Sequence, residues 1–197
     1  MSLFKYILIC LLFLLNTIEF QAQANRSKLD SLLQLLDTAE DTARLSMLNN
    51  ISEAYIPFSV DSCHLYANFL LQEAKNSDNL SFTAVGFNMI GYALREMDRI
   101  EESYIYFQKA LDLRLDLKEY DKASNTLNLI GTAYHRTGDL EKSLDYYMQA
   151  IEQAEINGNP EYLSGPISNI GKLYSDMGDN ETALEYDLRA LAIARDS

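Results

Sequence analysis

The chain has 197 residues, 48% of them hydrophobic, with 29 acidic against 16 basic side chains and a net charge of −13. That apolar content supports a packed core and argues against a disordered chain. The acidity opposes a phosphate-tracking surface, so nucleic acid is not an expected partner; attraction of a basic partner and solubility alone both remain open.

Residues 1–24 read as an export signal. Lys5 supplies the positive start, and Tyr6 to Leu15 is an unbroken apolar run, shorter than the roughly 20 residues a spanning helix needs. Ala22-Gln23-Ala24 has small residues where signal peptidase cleaves, which places the mature start at Asn25. The alternative is an uncleaved anchor; either way the rest lies outside the cytoplasm. Cys10 has bulky Ile9 before it, unlike a lipid-attachment site. Processing leaves Cys63 as a single cysteine, so no internal disulfide is available and stability must come from packing.

Residues 25–41 hold a short amphipathic helix, with Leu29, Leu32, Leu33 and Leu36 at helical spacing, and a polar turn. Thr42 to Tyr55 is the next predicted helix, with Leu45, Leu48, Ile51 and Tyr55 on one stripe, and Pro57 follows its end. Asp61 to Lys75 pairs with it; its expected apolar face is Leu65, Tyr66, Phe69, Leu70 and Ala74. Three clearer helix–turn–helix units run Leu80–Leu117, Tyr120–Ile156 and Glu161–Arg195. Gly138 and Gly178 suit the left-handed residue that ends a helix, Asp98 stands there in the earlier copy, and Asp139 and Asp179 can cap the second helix of each unit. Asn159-Pro160 is a further start signal. Gly165-Pro166 falls inside a predicted helix, where proline should kink it or delay its start.

These units repeat. Gly91, Gly131 and Gly171 are spaced by 40 residues, as are Ala110, Ala150 and Ala190. Tyr66, Tyr106 and Tyr146 keep the same step, so residues 42–79 are a drifted first copy with one extra residue in the loop through Pro57. A fixed period of this length means a solenoid. The third copy shows Leu127, Ile130, Gly131 and Tyr134, then Ser143, Tyr147 and Ala150. The fourth shows Ile167, Ile170, Gly171 and Tyr174, then Ala183, Tyr186 one place early, and Ala190. The second shows Phe87, Ile90, Gly91, Ser103, Phe107 and Ala110, with Leu94 in place of the tyrosine.

With these residues the chain resembles the tetratricopeptide repeat (TPR) family, in a variant longer than the usual 34 residues. The resemblance implies an all-α, right-handed superhelical solenoid of antiparallel helix hairpins. About four repeats are expected, near 42–79, 80–119, 120–159 and 160–197. It also implies a protein or peptide partner in a concave groove. Together with the export signal and Asp61-Ser62 opening a repeat helix, it is similar to the N-terminal sensory parts of bacterial signalling proteins. In those, such repeats precede a histidine kinase, cyclase or DNA-binding module. Leu184, Leu188, Leu191 and Ile193 leave an apolar last helix without a capping element. Either a longer natural protein, with possible tethering to the membrane, or self-association through this end is therefore expected.

No catalytic constellation is present. Cys63 and His64 are helix neighbours that point apart, and Cys63 falls where Ser103, Ser143 and Ala183 pack. The acidic run Asp176 to Glu185 has Glu181 where a calcium loop needs glycine. No cofactor, metal or small-molecule substrate is expected, and the chain is not read as an enzyme. Most of the thirteen tyrosines fall on packing positions (Tyr134, Tyr146, Tyr147, Tyr174). The candidate binding residues are those the repeats aim at the groove. Asn49, Asn88, Asn128 and Ser168 stand two before each Ile of the repeated pair; Glu53, Tyr92, Thr132 and Lys172 lie one turn on, and Arg95, His135 and Arg136 come next. Amides there offer a peptide backbone both donor and acceptor, the basic groups could hold a carboxylate, and Glu53, Glu96 and Asp176 offset them.

Overall fold

The computed structural model describes residues 26–196; the export segment, residues 1–24, lies outside them. The described residues form helices and turns and no strand. Helix α1 covers 26–36. Four hairpins come after it: α2 (Asp41–Tyr55) with α3 (Val60–Asn76), α4 (Leu80–Glu96) with α5 (Ile100–Asp116), α6 (Tyr120–Thr137) with α7 (Leu140–Asn157), and α8 (Glu161–Asp176) with α9 (Asn180–Asp196). Each helix packs on the next, and the first helices of successive hairpins also touch one another. The result is an all-α helical repeat solenoid. Among the described residues no helix is long and apolar enough to cross a membrane.

The turns share one device with a period of twenty. Asp78, Asp98, Lys118, Gly138, Gly158 and Gly178 all have positive φ, between 52° and 84°. In five of these turns the next residue's N–H closes the end of the preceding helix: Asn79 to Ala74 O, Arg99 to Leu94 O, Glu119 to Arg114 O, Asp139 to Tyr134 O and Asp179 to Tyr174 O, at 2.8–3.1 Å. Asp139 and Asp179 then cap α7 and α9, accepting from Lys142 N and Thr182 N at 3.2 and 3.1 Å. Ser59 and Asn79 do the same for α3 and α4. The α2–α3 connection, which carries Pro57, has no residue of positive φ.

The core is a chain of local clusters. Ile100, Phe107, Leu111, Leu127 and Ile130 form one; Tyr147, Ile151, Ile167, Ile170 and Leu173 form the next. Inside the second and third hairpins the repeated glycine lies against a ring. A Cβ on Gly91 would sit 2.7 Å from Phe107, and one on Gly131 would sit 2.6 Å from Tyr147. In the first copy the corresponding positions are Ser52 and Ala67, both fully buried. Tyrosine pairs stack beside this contact: Tyr55 on Tyr66, Tyr134 on Tyr146 and Tyr174 on Tyr186, with ring centroids 5.3–5.7 Å apart.

Three expectations need correction. Leu65 and Phe69 are 51% and 43% exposed. The face of α3 that packs is Cys63, Ala67, Leu70 and Ala74, because small residues let α2 and α4 approach, and Phe69 lies edge-on to Tyr66 outside. Helix α8 starts at Glu161 and runs through Pro166 without delay. Asn159 Oδ1 accepts from Glu161 N at 3.1 Å, so the first turn is set before Pro166, which removes only one donor. In the fourth copy the ring position holds Asp187, whose carboxylate oxygen lies 2.6 Å from a Cβ built on Gly171; Tyr186 belongs to the stacking series instead. The tyrosines read as packing residues do pack: Tyr147 is fully buried, and Tyr134, Tyr146 and Tyr174 lie half-buried in stacks against the core clusters.

Substituting Gly131→Ala forces a methyl into the Tyr147 ring. The expected loss is about 1–3 kcal/mol, read as a lower denaturation midpoint in guanidinium with an unchanged slope. Gly158→Ala is the wrong control because of its positive φ; Gly165→Ala, whose Cβ meets nothing closer than 3.8 Å, should leave the midpoint nearly unchanged or raise it.

Candidate binding groove

The first helices of all four hairpins line a cleft of about 490 Å³. From α2 and its C-terminal end come Asn49, Glu53 and Ile56; from α4, Val85, Asn88, Met89 and Tyr92; from α6, Lys122, Asn125 and Leu129; from α8, Tyr162. Arg114 reaches in from the end of α5. These helices present one face to the groove because their opposite faces are consumed by the hairpin contacts.

Two asparagines sit in the cleft with their amide orientation fixed. Thr126 Oγ1 donates to Lys122 O at 3.2 Å, so it can only accept from Asn88 Nδ2, at 2.9 Å. Asn88 is 8% exposed, and its Oδ1 is buried without a partner. Asn49 Nδ2 donates to the Glu53 carboxylate at 2.9 Å, and its Oδ1 is likewise buried and unpartnered. Each such acceptor costs roughly 1–3 kcal/mol while unmade. Tyr92 completes this side; the Arg95 guanidinium lies 4.7 Å from its ring centroid, and burial pushes the phenol's pKa up, with Glu96 adding to the rise.

The other wall is ionic. Arg114 is 3% exposed and pairs through Nη1 with Glu119 Oε2. Lys122 Nζ donates to Glu119 Oε1 at 2.8 Å. Ser81 Oγ donates to the same carboxylate at 2.9 Å and accepts from Arg114 Nη1 and Lys122 Nζ at 3.1 and 3.2 Å. Burial pushes Glu119 up, but the hydrogen bonds from Lys122, Arg114 and Ser81 outweigh it and hold the carboxyl below its ordinary range.

Of the residues predicted for the groove, Asn49, Glu53, Asn88 and Tyr92 come together in this cleft. The others do not line it. Asn128 Oδ1 is taken by Asn169 Nδ2 at 2.8 Å, so Asn169 occupies the rung assigned to Ser168, which is exposed. Thr132 donates to Asn128 O at 2.9 Å. The basic residues already hold the chain's own carboxylates: Arg95 and Arg136 both meet Glu96 at 3.0 Å, and His135 Nε2 lies 2.8 Å from Asp176. Lys172 is exposed. Arg114, Lys122, Asn125 and Tyr162 went unread in the sequence. Arg114 had a visible signal, since it breaks a 40-residue series of Ala74, Ala154 and Ala194. Cys63 is fully buried in the hairpin contact, where Ser52 Oγ donates to its carbonyl at 2.9 Å, and burial pushes its thiol up. Among the described residues no three His, Cys, Asp or Glu side chains gather as a metal site.

Two family models, both described as tetratricopeptide repeat, match residues 82–156 and 167–197, together more than half of the chain. The chain belongs to the tetratricopeptide repeat family. No curated protein sequence matches it. Among solved structures it is similar to a Rap protein complexed with Competence and Sporulation Factor, with 16% identity, a TM-score of 0.77, and coverage of 91% of this chain and 53% of that one. BtubC from P. vanneervenii gives 16% identity, a TM-score of 0.67 and coverage of 89% and 75%. A putative kinesin light chain with nearly identical TPR-like repeats from Podosopora anserina gives 12%, 0.61 and coverage of 88% and 89%. At these identities the likeness is one of fold.

The lowered pKa of Glu119 makes stability depend on pH with a definite sign. A carboxyl held below its unfolded value stabilises the TPR fold above that value, about 4.5, and loses the contribution as pH falls through the folded one. Glu119→Gln is therefore expected to be less stable than the parent at pH 7, with the gap narrowing between pH 5 and pH 3. Thermal melts across that range measure it.

Proposed function

We propose that this TPR domain is a protein-interaction module whose partner, an extended peptide or protein segment, lies in the cleft of the four first helices. The observation that carries the reading is the pair of buried, unpartnered acceptors, Asn49 Oδ1 and Asn88 Oδ1, on adjacent helices of one cleft. Two amide acceptors on neighbouring rungs match successive N–H groups of an extended chain, and making those bonds removes a penalty present in the free protein. A Rap protein of the same fold was solved complexed with Competence and Sporulation Factor, which supports a protein or peptide partner.

Within this reading the chain is an exported, long-repeat variant serving as the sensory N-terminal part of a bacterial signalling protein. The charged and apolar segments before Asn25 support export. A ligand that prefers one curvature of the solenoid shifts its population, and a downstream module would register that shift. A second reading, a stand-alone periplasmic scaffold, draws on the exposed Leu184, Leu188 and Leu191 of α9, a face suited to self-association. Sequencing the gene beyond Ser197 separates them: a membrane helix with a kinase, cyclase or DNA-binding module supports the sensor, and an immediate stop supports the scaffold.

The groove is tested by fluorescence anisotropy with dye-labelled random hexapeptide pools. Asn49→Ala with Asn88→Ala should weaken pool binding at least ~10-fold, with helicity by circular dichroism unchanged. Equal binding by parent and variant removes the groove reading. For export, the full gene expressed in a Gram-negative host should yield a periplasmic protein whose N-terminal sequence begins at Asn25. A cytoplasmic product beginning at Met1 counts against it.

A further inference from the structure

The second helices of neighbouring hairpins lie further apart than the helices within a hairpin, so furrows open between them, outside the cleft. Between α5 and α7 the furrow holds a cavity of about 460 Å³. Tyr104 and Ile105 of α5 form one wall, Tyr146 of α7 the other, and Ile130 and Tyr134 of α6 the floor. None of its lining residues belongs to the cleft of the first helices. Tyr134 stacks on Tyr104 and on Tyr146, with ring centroids 4.5 and 5.3 Å apart, which ties floor and walls together. Ile105 stands at the mouth, 55% exposed. The same position carries Asp145 in α7 and Glu185 in α9, both exposed, and Tyr104 replaces the leucine of α7 and α9, Leu144 and Leu184. One exposed isoleucine is ordinary; one that continues into a cavity walled by three tyrosines makes a contiguous apolar surface.

The rim is basic. Lys109, one turn after Ile105, borders this furrow and also the one between α3 and α5, a cavity of about 390 Å³. Its ammonium lies 5.7 Å from the Phe87 ring centroid, and that of Lys75 lies 5.1 Å from the same centroid. Neither lysine makes an ion pair among the described residues. The nearby charges are otherwise engaged: Asp112 accepts from Gln108 Nε2 at 2.7 Å, and Lys142, over the Tyr134 ring, is held by Asp139. Asp78 lines the α3–α5 cavity and pairs with neither lysine. Two cations without carboxylates, in a chain of net charge −13, give this rim a charge complementary to an acidic partner.

We propose that the furrow between α5 and α7 is a second docking surface, which seats an amphipathic helix of a partner protein with an apolar anchor in the cavity and an acidic flank toward Lys109. Two second helices over the first helix beneath them form a trough, and a further helix fills a trough by ridges-into-grooves packing. The anchor supplies most of the affinity: burying one large aliphatic side chain is worth tenfold or more. A carboxylate at exposed Lys109 adds only about two- to fivefold, which makes it a selector rather than an anchor. The surface is independent of the groove reading, and a TPR domain with both holds two partners at once.

Pools of alanine-based helical peptides of about 16 residues, with Leu, Ile and Met mixed at i, i+4 and i+7 and flanks of Glu, Gln or Lys, test this. Binding is read by anisotropy and by NMR of isoleucine methyl groups, since Ile105 and Ile130 line the furrow and Ile56 lines the cleft. The Ile105 and Ile130 signals should move and that of Ile56 should not, and the Glu pool should bind about threefold tighter than the Gln pool. Ile105→Asp and Lys109→Gln install the residues that α7 carries at those places, Asp145 and Gln149. Both should therefore fold, which circular dichroism and a thermal melt verify. Ile105→Asp should weaken every pool at least ~10-fold. Lys109→Gln should remove the Glu preference and keep the Gln-pool affinity. Asn49→Ala with Asn88→Ala should change neither. Movement of Ile56 alone, no movement with any pool, or equal binding by Ile105→Asp overturns the docking surface and leaves the groove reading to its own test. A parent dimer in sedimentation equilibrium that Ile105→Asp dissolves also overturns it, because the occupant is then a second copy.

Discussion

The fold depends on one close approach, the backbone of a first helix laid directly on the side chain that its partner helix offers. Gly91 and Gly131 have no Cβ because Phe107 and Tyr147 occupy its space. In the first hairpin the same positions hold Ser52 and Ala67, both fully buried, and Ser52 Oγ donates to the Cys63 carbonyl across the hairpin. Once the ring is fixed there, its far side becomes the floor for the next hairpin, and Tyr147 joins Ile167, Ile170 and Leu173 of α8. Each repeat is therefore completed by its successor, and stability adds up through nearest neighbours. Asp187 interrupts this sequence. A carboxylate replaces the ring against Gly171, and α9 keeps exposed leucines around it.

Because packing is taken up within hairpins and between successive hairpins, the groove face is free of it and can carry polar groups. That freedom has a cost visible in the cleft. Asn88 is locked by Thr126 into showing its oxygen, and Asn49 is locked by Glu53 into doing the same. A protein selected only for stability would have apolar or water-exposed groups at these rungs, since unmet buried acceptors lower stability without aiding packing. The same holds for Arg114, where the repeat itself supplies a cheaper solution in Ala74 and Ala154.

The sequence made the helices and turns legible because the forty-residue step repeats both the apolar stripes and the turn residues. Helix ends read from Gly138, Asp139, Gly178 and Asp179 lie where the structure has them. The half-period in the turns was harder to see, since Asp78, Asp98 and Lys118 adopt a conformation that glycine usually marks. The groove was only partly legible. Periodicity says which face a residue occupies, but not which neighbour claims its polar atoms. Asn88 and Asn128 occupy equivalent rungs, yet one shows a free acceptor and the other is consumed by Asn169. Arg136 and His135 sit on the anticipated helix, yet Glu96 and Asp176, one repeat away, take them. Leu65 and Phe69 misled because α3 packs through alanine and cysteine, which carry little weight in a count of apolar residues.

These cross-repeat pairs also bear on how such a solenoid would respond to a ligand placed in the cleft. Successive first helices are tied on the groove side by Asn88 to Thr126, Asn128 to Asn169, Arg136 to Glu96 and His135 to Asp176. All are polar contacts, individually weak where exposed; on the other side the same hairpins are joined by apolar clusters, Phe107 with Leu127 and Ile130, and Tyr147 with Ile167 and Ile170. Curvature changes would therefore be felt first on the groove side. The cleft takes residues from α2, α4, α6 and α8 at once, so a ligand touching both Asn49 and Tyr162 fixes a distance that only one curvature provides. Its differential affinity for that curvature sets how far the population moves. The repeat that contributes Arg114 lies between those ends of the cleft.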